Sequence, residues 1–216
     1  MAKDSWEIHY RKEHSVLNYP DENLVRIIKK HLASKDSKEI GSLKAIDLGC
    51  GSGRHIKMLY ETGIQHIAGI DYSMNALIIC KERYSSFLIQ SENEHLPFKD
   101  GTFDIAVSWG SLHYSGKDSL ERQLREIRRV LNKKACFFGT LRSERDTYLK
   151  KGKELGNDTW VTDNTDLENS VVSFYNEEEL KSALGIFNKY EYGLMERSVI
   201  GDLNKLISHW YFRAYT

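Results

Sequence analysis

Hydrophobic and polar positions along this chain recur at the spacings of helices and of buried strands. In residues 20–32, five apolar residues at helical spacing stand among acids and bases, with Asp21 and Glu22 at the start. This pattern predicts an amphipathic helix whose acids lie in its first turn. In residues 43–48 a short apolar run ends in glycines, which is typical of a buried parallel strand.

The two patterns then alternate along the next hundred residues. Helices are predicted over residues 54–62, 75–84 and 119–131, and strands over 67–71, 87–90, 103–108 and 135–140. Repeated strand–helix alternation forms parallel strands that are joined by right-handed crossovers. The chain is therefore predicted to be an α/β protein with a doubly wound, mostly parallel sheet of about seven strands.

The C-terminal third follows a different pattern. Residues 176–184 predict a short helix with Asn176 as its N-cap. Two aromatic-rich segments, 187–199 and 209–215, predict a closing pair of strands, with an antiparallel strand at the C-terminal edge of the sheet. The polar stretch 142–170 is too long for an ordinary connection and predicts a lid or a substrate-facing insertion. We interpret its charged run, 142–153, as a solvated helix face.

Charge and composition narrow the classes of partner. Thirty-one basic residues balance 31 acidic ones, which argues against nucleic acid because proteins that bind phosphate backbones usually carry a basic excess. The three cysteines, Cys50, Cys80 and Cys136, have no metal-ligand or disulfide spacing, so no metal site is expected. No apolar run approaches the roughly 20 residues of a membrane span. We expect no membrane partner and a cytoplasmic protein.

A glycine-rich turn, Asp47-Leu-Gly-Cys-Gly-Ser-Gly53, joins the first predicted strand to the following helix. Glycines allow close approach of the backbone to a ligand, and a helix N-terminus offers N–H groups to an anion. A dinucleotide site would need glycine at position 54, which is Arg54, and a P-loop would need Gly-Lys-Ser/Thr. A tight turn without a ligand is the remaining alternative.

The order of motifs resembles the class I methyltransferases that depend on S-adenosyl-L-methionine (SAM). The glycine-rich turn resembles their motif I, and Gly69-Ile-Asp71-Tyr-Ser resembles the end of their second strand. Glu92-Asn-Glu-His-Leu-Pro-Phe resembles the family stretch in which an acid and a small residue precede Leu-Pro-Phe. Ser173-Phe-Tyr-Asn-Glu-Glu-Glu-Leu180 is similar to a late helix entry in the ubiquinone-pathway subgroup. The resemblance spans residues 43–187.

The resemblance implies a Rossmann-like fold and a single domain, 1–216. Within it we expect an N-terminal helical lid segment (1–40), a SAM-binding core (43–140), an insertion or substrate cap (141–175) and a C-terminal helix with strands (176–216). SAM is the implied cofactor and S-adenosyl-L-homocysteine (SAH) the product. In this family the acid matched by Asp71 binds both ribose hydroxyls, which suits a carboxylate.

Further cofactor contacts follow from the resemblance. Glu92 and Asn93 match the adenine-binding positions, and the turn contributes its backbone at Gly49, Cys50, Gly51 and Gly53 after Asp47. Arg54 is expected to pair either with the SAM carboxylate or with a nearby acid at the surface. Tyr72 is expected to stack on adenine. Ser108 and Trp109 are expected to wall the pocket or to pack in the core, and Tyr10 to contact the cofactor from the lid.

His113, just past the fourth predicted strand, is the candidate catalytic residue. A histidine titrates near neutral pH and can serve as a base when the acceptor is a hydroxyl or a protonated amine. The alternative is a histidine that only packs beside the methionine end of the cofactor or caps the next helix. The overall prediction is in-line methyl transfer to an O, N or C atom of a small molecule, by a monomer or homodimer. A protein methyltransferase and a SAM-binding module without turnover remain open.

Overall fold

Seven helices and ten strands form in a computed structural model of the chain, which describes residues 2–12, 16–84, 86–165 and 167–216. The helices are α1 (Ala2–His9), α2 (Glu22–Leu32), α3 (Ser37–Ser42), α4 (Arg54–Glu61), α5 (Met74–Arg83), α6 (Lys117–Val130) and α7 (Glu177–Leu184). The strands are β1 (Lys44–Leu48), β2 (His66–Asp71), β3 (Phe87–Gln90), β4 (Phe103–Ser108), β5 (Leu131–Ser143), β6 (Gly152–Gly156), β7 (Thr159–Thr162), β8 (Val171–Tyr175), β9 (Lys189–Val199) and β10 (Asp202–Tyr215).

The main sheet has the order β3-β2-β1-β4-β5-β10-β9. Its first five strands are parallel, whereas β10 runs antiparallel to both β5 and β9. The predicted α/β class, with a mostly parallel sheet and an antiparallel C-terminal edge, is therefore confirmed. The seven predicted strands are all present, and three further strands bring the total in the described residues to ten.

Helices cover both faces of the sheet, and each face has its own hydrophobic cluster. One cluster joins α2, α4 and α5 to alternate residues of β1, β4 and β5, including Val107 and Phe138. The other joins α6 and α7 to the intervening residues, including Ile46 and Phe137. Side chains of a strand point alternately to its two faces, so continuous apolar runs arise where both faces are covered. None of the helices in the described part of the chain is long and apolar enough to cross a membrane.

The stretch 142–170 contains strands, and our interpretation of 142–153 as a solvated helix face is wrong. The strand β5 continues to Ser143, so Arg142 lies between β10 and β8, opposite His209 and Phe174, and is 6% exposed. β10 pairs with one edge of β5 as far as Arg142. β8 pairs with the other edge, beyond the point where β4 ends. The hairpin β6–β7 pairs antiparallel with β8 and extends this addition at the carboxyl edge of the sheet.

Two helix starts follow from polar capping residues. Asn176 caps α7, as predicted, and its side chain accepts from the N–H of Glu179 while the Glu179 carboxylate accepts from the N–H of Asn176. Ser73 caps α5, with its hydroxyl accepting from the N–H of Ala76. The second cap matters for function, because it begins a helix directly after the carboxyl end of β2.

Replacing Phe137 with alanine should destabilise the fold strongly. Its ring is fully buried and packs against Phe187 and Phe212 at centroid distances of 5.8 and 5.4 Å. The cavity and lost burial should lower the free energy of unfolding by about 3–5 kcal/mol in urea denaturation. Phe87→Ala, at a ring that is 64% exposed, is the matched control and should cost less than about 1 kcal/mol. Equal losses in the two variants would contradict the assignment of this core.

Candidate functional site

The glycine-rich turn between β1 and α4 lies at the carboxyl edge of the sheet. Gly49, Gly51 and Gly53 have φ angles of 72°, 53° and 87°, in the left-handed region that glycine enters without steric cost. The N–H groups of Gly49 and Cys50 both donate to the carbonyl of Ile70 over 2.8 Å. The turn is therefore fixed to the end of β2, in a backbone conformation that other residues would strain.

Asp71 joins the same turn to the last residue of β2. Its Oδ2 accepts from the N–H of Gly51 and its Oδ1 from the N–H of Ser73, both over 2.9 Å. Burial raises the pKa of the Asp71 carboxyl to about 6, although the N–H groups of Ser73 and Gly51 act in the opposite direction. A carboxylate offers about four acceptor sites, so Asp71 can still accept from a ligand.

A cavity of about 360 Å³ opens beside Asp71. It lies between the ends of β2, β3 and β4 and the start of α6. Part of its wall comes from residues that the sequence predicted as ligand contacts, namely Tyr10, Gly49, Asp71, Tyr72, Glu92 and Asn93. The amide of Asn93 donates to Gln123 of α6 over 3.3 Å, which fixes this side of the wall. The structure thus brings together residues that are widely separated in sequence.

A second cavity, of about 710 Å³, lies on the other side of the turn. It is bordered by Cys50, Gly51 and Arg54 near the turn and by Thr140 and Arg142 at the end of β5. The two cavities meet at five shared residues: Trp6, Tyr10, Gly49, Gly110 and Tyr114. The site is therefore a pair of connected chambers with the glycine-rich turn at their junction.

Helix α1 covers this junction. The Glu7 carboxylate accepts from the N–H groups of Met74 (2.7 Å) and Asn75 (3.1 Å) and from the hydroxyl of Ser73 (3.0 Å), so it binds the N-terminus of α5. Partial burial opposes ionisation of Glu7, but these three donors outweigh it and lower the pKa of the carboxyl. The indole of Trp6 meets the ring of Tyr114 edge-on, at a centroid distance of 4.7 Å.

Comparison with known proteins explains this arrangement. Residues 46–138 match the model of a family described as a methyltransferase domain. A protein of Methanocaldococcus jannaschii is 29% identical in an alignment 149 positions long, which covers 63% of this chain and 55% of that protein. A probable tRNA methyltransferase 9B of Mus musculus is 36% identical over 42% of this chain and 20% of its own. These matches support the class I SAM-dependent methyltransferase family that the motifs resemble.

The likeness to solved structures extends over the whole chain. A 1,6-didemethyltoxoflavin-N1-methyltransferase of Burkholderia thailandensis, solved with SAH, superimposes with a TM-score of 0.68. It covers 99% of this chain and 86% of its own at 14% identity, so the likeness concerns the fold. By contrast, the chain spans about half the length of the Methanocaldococcus relative and a fifth of the mouse one. The predicted fold is confirmed, and these likenesses support the predicted family and the predicted cofactor, SAM.

The residues present fit SAM. The glycines allow the turn to pack closely on its neighbours at the cavity edge, since a Cβ added at Gly49 would lie 2.5 Å from the Cβ of Ser111. Both carboxylate oxygens of Asp47 are buried without a hydrogen-bond partner among the described residues, and SAM carries an ammonium group. Burial raises the pKa of Asp47 to about 7, Arg54 opposes this effect and Asp71 adds to it. A positively charged ligand would relieve this concentration of acids.

The structure places the other predicted cofactor residues at different depths. Trp109 lines the larger cavity, and the hydroxyl of Tyr10 lies over Gly51. Ser108 lines neither cavity, because its hydroxyl is buried against Ser111 (2.6 Å) and the carbonyl of Leu48 (3.3 Å). The residue at the cavity wall is Ser111 instead.

Two more predicted residues lie below the cavity walls. Asp47 is fully buried beneath the turn. Gly53 faces Cys80 and Tyr84, where a Cβ would lie 2.6 and 2.7 Å from their nearest side-chain atoms. Gly53 therefore serves close packing of α4 on α5. Arg54 lines the larger cavity, and its guanidinium donates to the carbonyl of Tyr19 over 3.4 Å.

His113, the predicted catalytic residue, is fully buried and lines neither cavity. Burial, and then the neighbouring Arg142 and His209, hold the pKa of its imidazole well below the ordinary value. The ring of His209 lies 5.5 Å from the His113 ring, centroid to centroid, and does line the larger cavity. Of the two histidines, His209 therefore reaches a cavity wall and His113 does not.

Sequence reasoning missed His209, Thr140 and Arg142. A signal for them was available, since the antiparallel strand predicted over 209–215 begins at the carboxyl edge of the sheet. The end of the fifth strand lies at that same edge. Trp6 belongs to the N-terminal lid segment that the sequence predicted, whereas no comparable signal marked Tyr114. Among the described residues, no group of three or more histidines, cysteines and acids is arranged to hold a metal ion.

Gly51→Ala should reduce SAH affinity more than its cost in stability explains. The new methyl group would collide with the hydroxyl of Tyr10 in the passage between the chambers. We expect SAH affinity in calorimetry to fall about tenfold or more, with about 1–2 kcal/mol of lost stability from the left-handed backbone. Gly201→Ala, at φ 86° with nothing within 4 Å, should lose similar stability and keep its affinity. Equal affinities for the two variants would show that the turn does not contact the ligand.

Glu7→Gln should weaken closure of α1 over the junction. The amide loses the negative charge that the N-terminus of α5 favours and keeps a single acceptor oxygen. We expect SAH to dissociate faster in stopped-flow measurements and its affinity to fall about threefold to tenfold, the equivalent of about 1 kcal/mol. Glu82→Gln, at an exposed position of the same helix α5, should leave both unchanged. An unaltered dissociation rate in Glu7→Gln would remove α1 from cofactor retention.

Proposed function

We propose that this chain transfers a methyl group from SAM to a small molecule. The observation that carries this proposal is the pair of connected cavities that meet at Gly49 and Gly110. The smaller one has the carboxylates of Asp71 and Glu92 at its wall, and the larger one extends to Thr140 and His209. A donor and an acceptor can thus occupy separate chambers and meet at one junction.

The residues of the smaller chamber bind and orient the cofactor in this proposal. Asp71 accepts from the ribose hydroxyls through its remaining acceptor sites, and Glu92 and Asn93 contact the adenine ring. Arg54 pairs with the carboxylate of the methionine part across the turn. SAM supplies a methyl group that is activated by a neighbouring sulfonium. The chain's contribution is alignment of the reacting atoms, with α1 excluding water from the junction.

His209 is the group that can hold a proton at the acceptor side. Burial, followed by the positive charges of Arg142 and Arg197, keeps the pKa of its imidazole well below the ordinary value. The ring is therefore uncharged at neutral pH and has a lone pair available. It can accept a proton from an acceptor hydroxyl as the new bond to carbon forms and SAH leaves.

Two observations favour a small acceptor over a macromolecule. Helix α1 covers the junction, and the strands β6–β8 extend beside the larger cavity. The larger cavity is therefore a recess within the fold. The chain also has equal numbers of acidic and basic residues, whereas RNA binding favours a basic excess. The alignment with the tRNA methyltransferase covers only a fifth of that protein, so its substrate is not assigned to this chain.

Calorimetry with SAM, SAH and NAD tests the cofactor part of the proposal. We expect SAM and SAH to bind and NAD not to bind. Asp71→Asn should lose about 1–3 kcal/mol of SAH binding free energy at pH 7, because a charged acceptor is removed. Since the pKa of Asp71 is raised to about 6, wild-type affinity should fall as the pH is lowered from 7 to 5. The affinity of Asp71→Asn should depend much less on pH. Asp47→Asn then shows how much of the pH dependence comes from the second buried acid.

Label transfer from methyl-labelled SAM tests the reaction. Incubation with a cell extract should move the label into the small-molecule fraction, and not into the protein or RNA fractions. Asp202→Asn, at the exposed tip of the β9–β10 hairpin, is the control for the acidic substitutions and should behave as wild type. Label in protein or RNA would replace the proposed acceptor class. Absence of SAM and SAH binding by folded protein would reject the function altogether.

A further inference from the structure

The part of the larger cavity beyond the junction has a wall of its own, which we call the acceptor chamber. It is formed by the ends of β5, β9 and β10, by the loop after β4 and by the segment that contains β6–β8. Its residues are Tyr114, Thr140, Arg142, Tyr148, Leu167, Met195, Glu196, Arg197, Ile207 and His209. Aromatic and apolar side chains make up about half of this wall, and charged groups are concentrated on the β5–β10–β9 side.

Arg142 is the buried charge of the acceptor chamber. It is 6% exposed and forms an ion pair with Asp146, which is fully buried. The Asp146 carboxylate also accepts from the N–H groups of Leu149 (3.0 Å) and Ser208 (2.9 Å). Those contacts hold the pair rigidly in place. The Nε–H of Arg142 is buried and has no hydrogen-bond partner among the described residues, so the guanidinium retains donor capacity.

The charges around Arg142 do not cancel. Glu196 is occupied by the guanidinium of Arg145 at 3.0 Å and by the hydroxyl of Ser208 at 3.0 Å. Arg197 is exposed at the mouth and makes no ion pair with any described residue. Three arginines therefore face two acids, Glu196 and Asp146, in and directly behind the chamber wall. This part of the wall therefore has an excess of one positive charge, whereas the turn side of the same cavity carries Asp21, Glu22 and Arg54.

The two histidines are consistent with a positive field in the chamber. After burial, the charge of Arg142 is the next cause of the lowered pKa values of both His113 and His209, and Arg197 adds to the effect on His209. Both rings are therefore neutral near pH 7 and leave the excess charge unchanged. A protonated amine entering this chamber would meet the same unfavourable field.

We propose that the methyl acceptor carries a carboxylate, which binds Arg142 in the acceptor chamber and is attracted by Arg197 at its mouth. This inference rests on the proposed function and specifies its substrate class. A carboxylate supplies the acceptor atom that the buried Nε–H of Arg142 lacks and neutralises the excess charge. The ring faces of Tyr114 and Tyr148 and the side chains of Met195 and Ile207 provide a surface for an apolar or planar body attached to it.

Matched pairs of small probes test this inference on protein saturated with SAH. We would titrate 4-hydroxybenzoate and its uncharged isostere 4-hydroxybenzamide into the complex and follow binding by calorimetry. The carboxylate should bind about ten- to a hundredfold more tightly than the amide, as expected for a buried charged hydrogen bond. Arg142→Gln should abolish this preference. Arg197→Gln should weaken carboxylate binding severalfold and reduce its dependence on salt.

Controls separate this inference from the proposed function and from misfolding. Arg128→Gln, at an exposed position of α6, should keep the full preference for the carboxylate. Retained SAH affinity verifies that Arg142→Gln is folded, and the exposed Arg197 provides a variant that does not disturb the core. The inference is wrong if the amide binds as tightly as the carboxylate, if neither probe binds, or if Arg142→Gln keeps the preference. Loss of SAH binding in the wild type would instead reject the proposed function.

Discussion

The attachment of the glycine-rich turn to the end of β2 is the constraint on which the site depends. Two N–H groups of the turn donate to the carbonyl of Ile70, and a third donates to the carboxylate of Asp71. These bonds require three residues in the left-handed conformation, which only glycine adopts without cost. They leave the acid beside the turn with acceptor sites that point into a cavity. The binding surface is thus a consequence of how two parallel strands end together.

The strand β5 has the corresponding structural role at the larger cavity. It is 13 residues long and pairs with β4 and β8 along one edge and with β10 along the other. Because its backbone groups are satisfied by strand pairing at Arg142, a charged side chain there is fixed by the sheet itself. His209 is opposite Arg142 in the β10 register. A buried charge at the end of a long strand is costly unless it has partners. Asp146 supplies one for the guanidinium of Arg142, whose Nε–H has no partner among the described residues.

The sequence predicted the residues around the smaller cavity much better than those around the larger one. The turn, Asp71 and Glu92 come directly after short apolar runs. The carboxyl ends of parallel strands meet at one edge of the sheet, so sequence order alone places these residues together. His113 also follows a strand, but its side chain points into the core, and strand position alone does not determine that direction. Arg142 was misinterpreted because its environment depends on β8 and β10, which are distant in sequence. Charge patterning near residue 142 therefore indicated solvent exposure where pairing between strands produces burial.

The distribution of charge links the two sides. Asp47, Asp71 and Glu7 lie close enough on the donor side for the charge of Glu7 to raise the pKa of Asp71, and that of Asp71 to raise the pKa of Asp47. Arg142 and Arg197 make the acceptor side positive. Such a division is unfavourable in itself, because like charges are held together on each side and Asp47, Asp71 and Arg142 are buried. It becomes favourable when a cation binds among the acids and an anion among the arginines. The junction at Gly49 and Gly110 lies between the two regions. The charges that attract a cation to one side and an anion to the other therefore also draw the two ligands toward this junction.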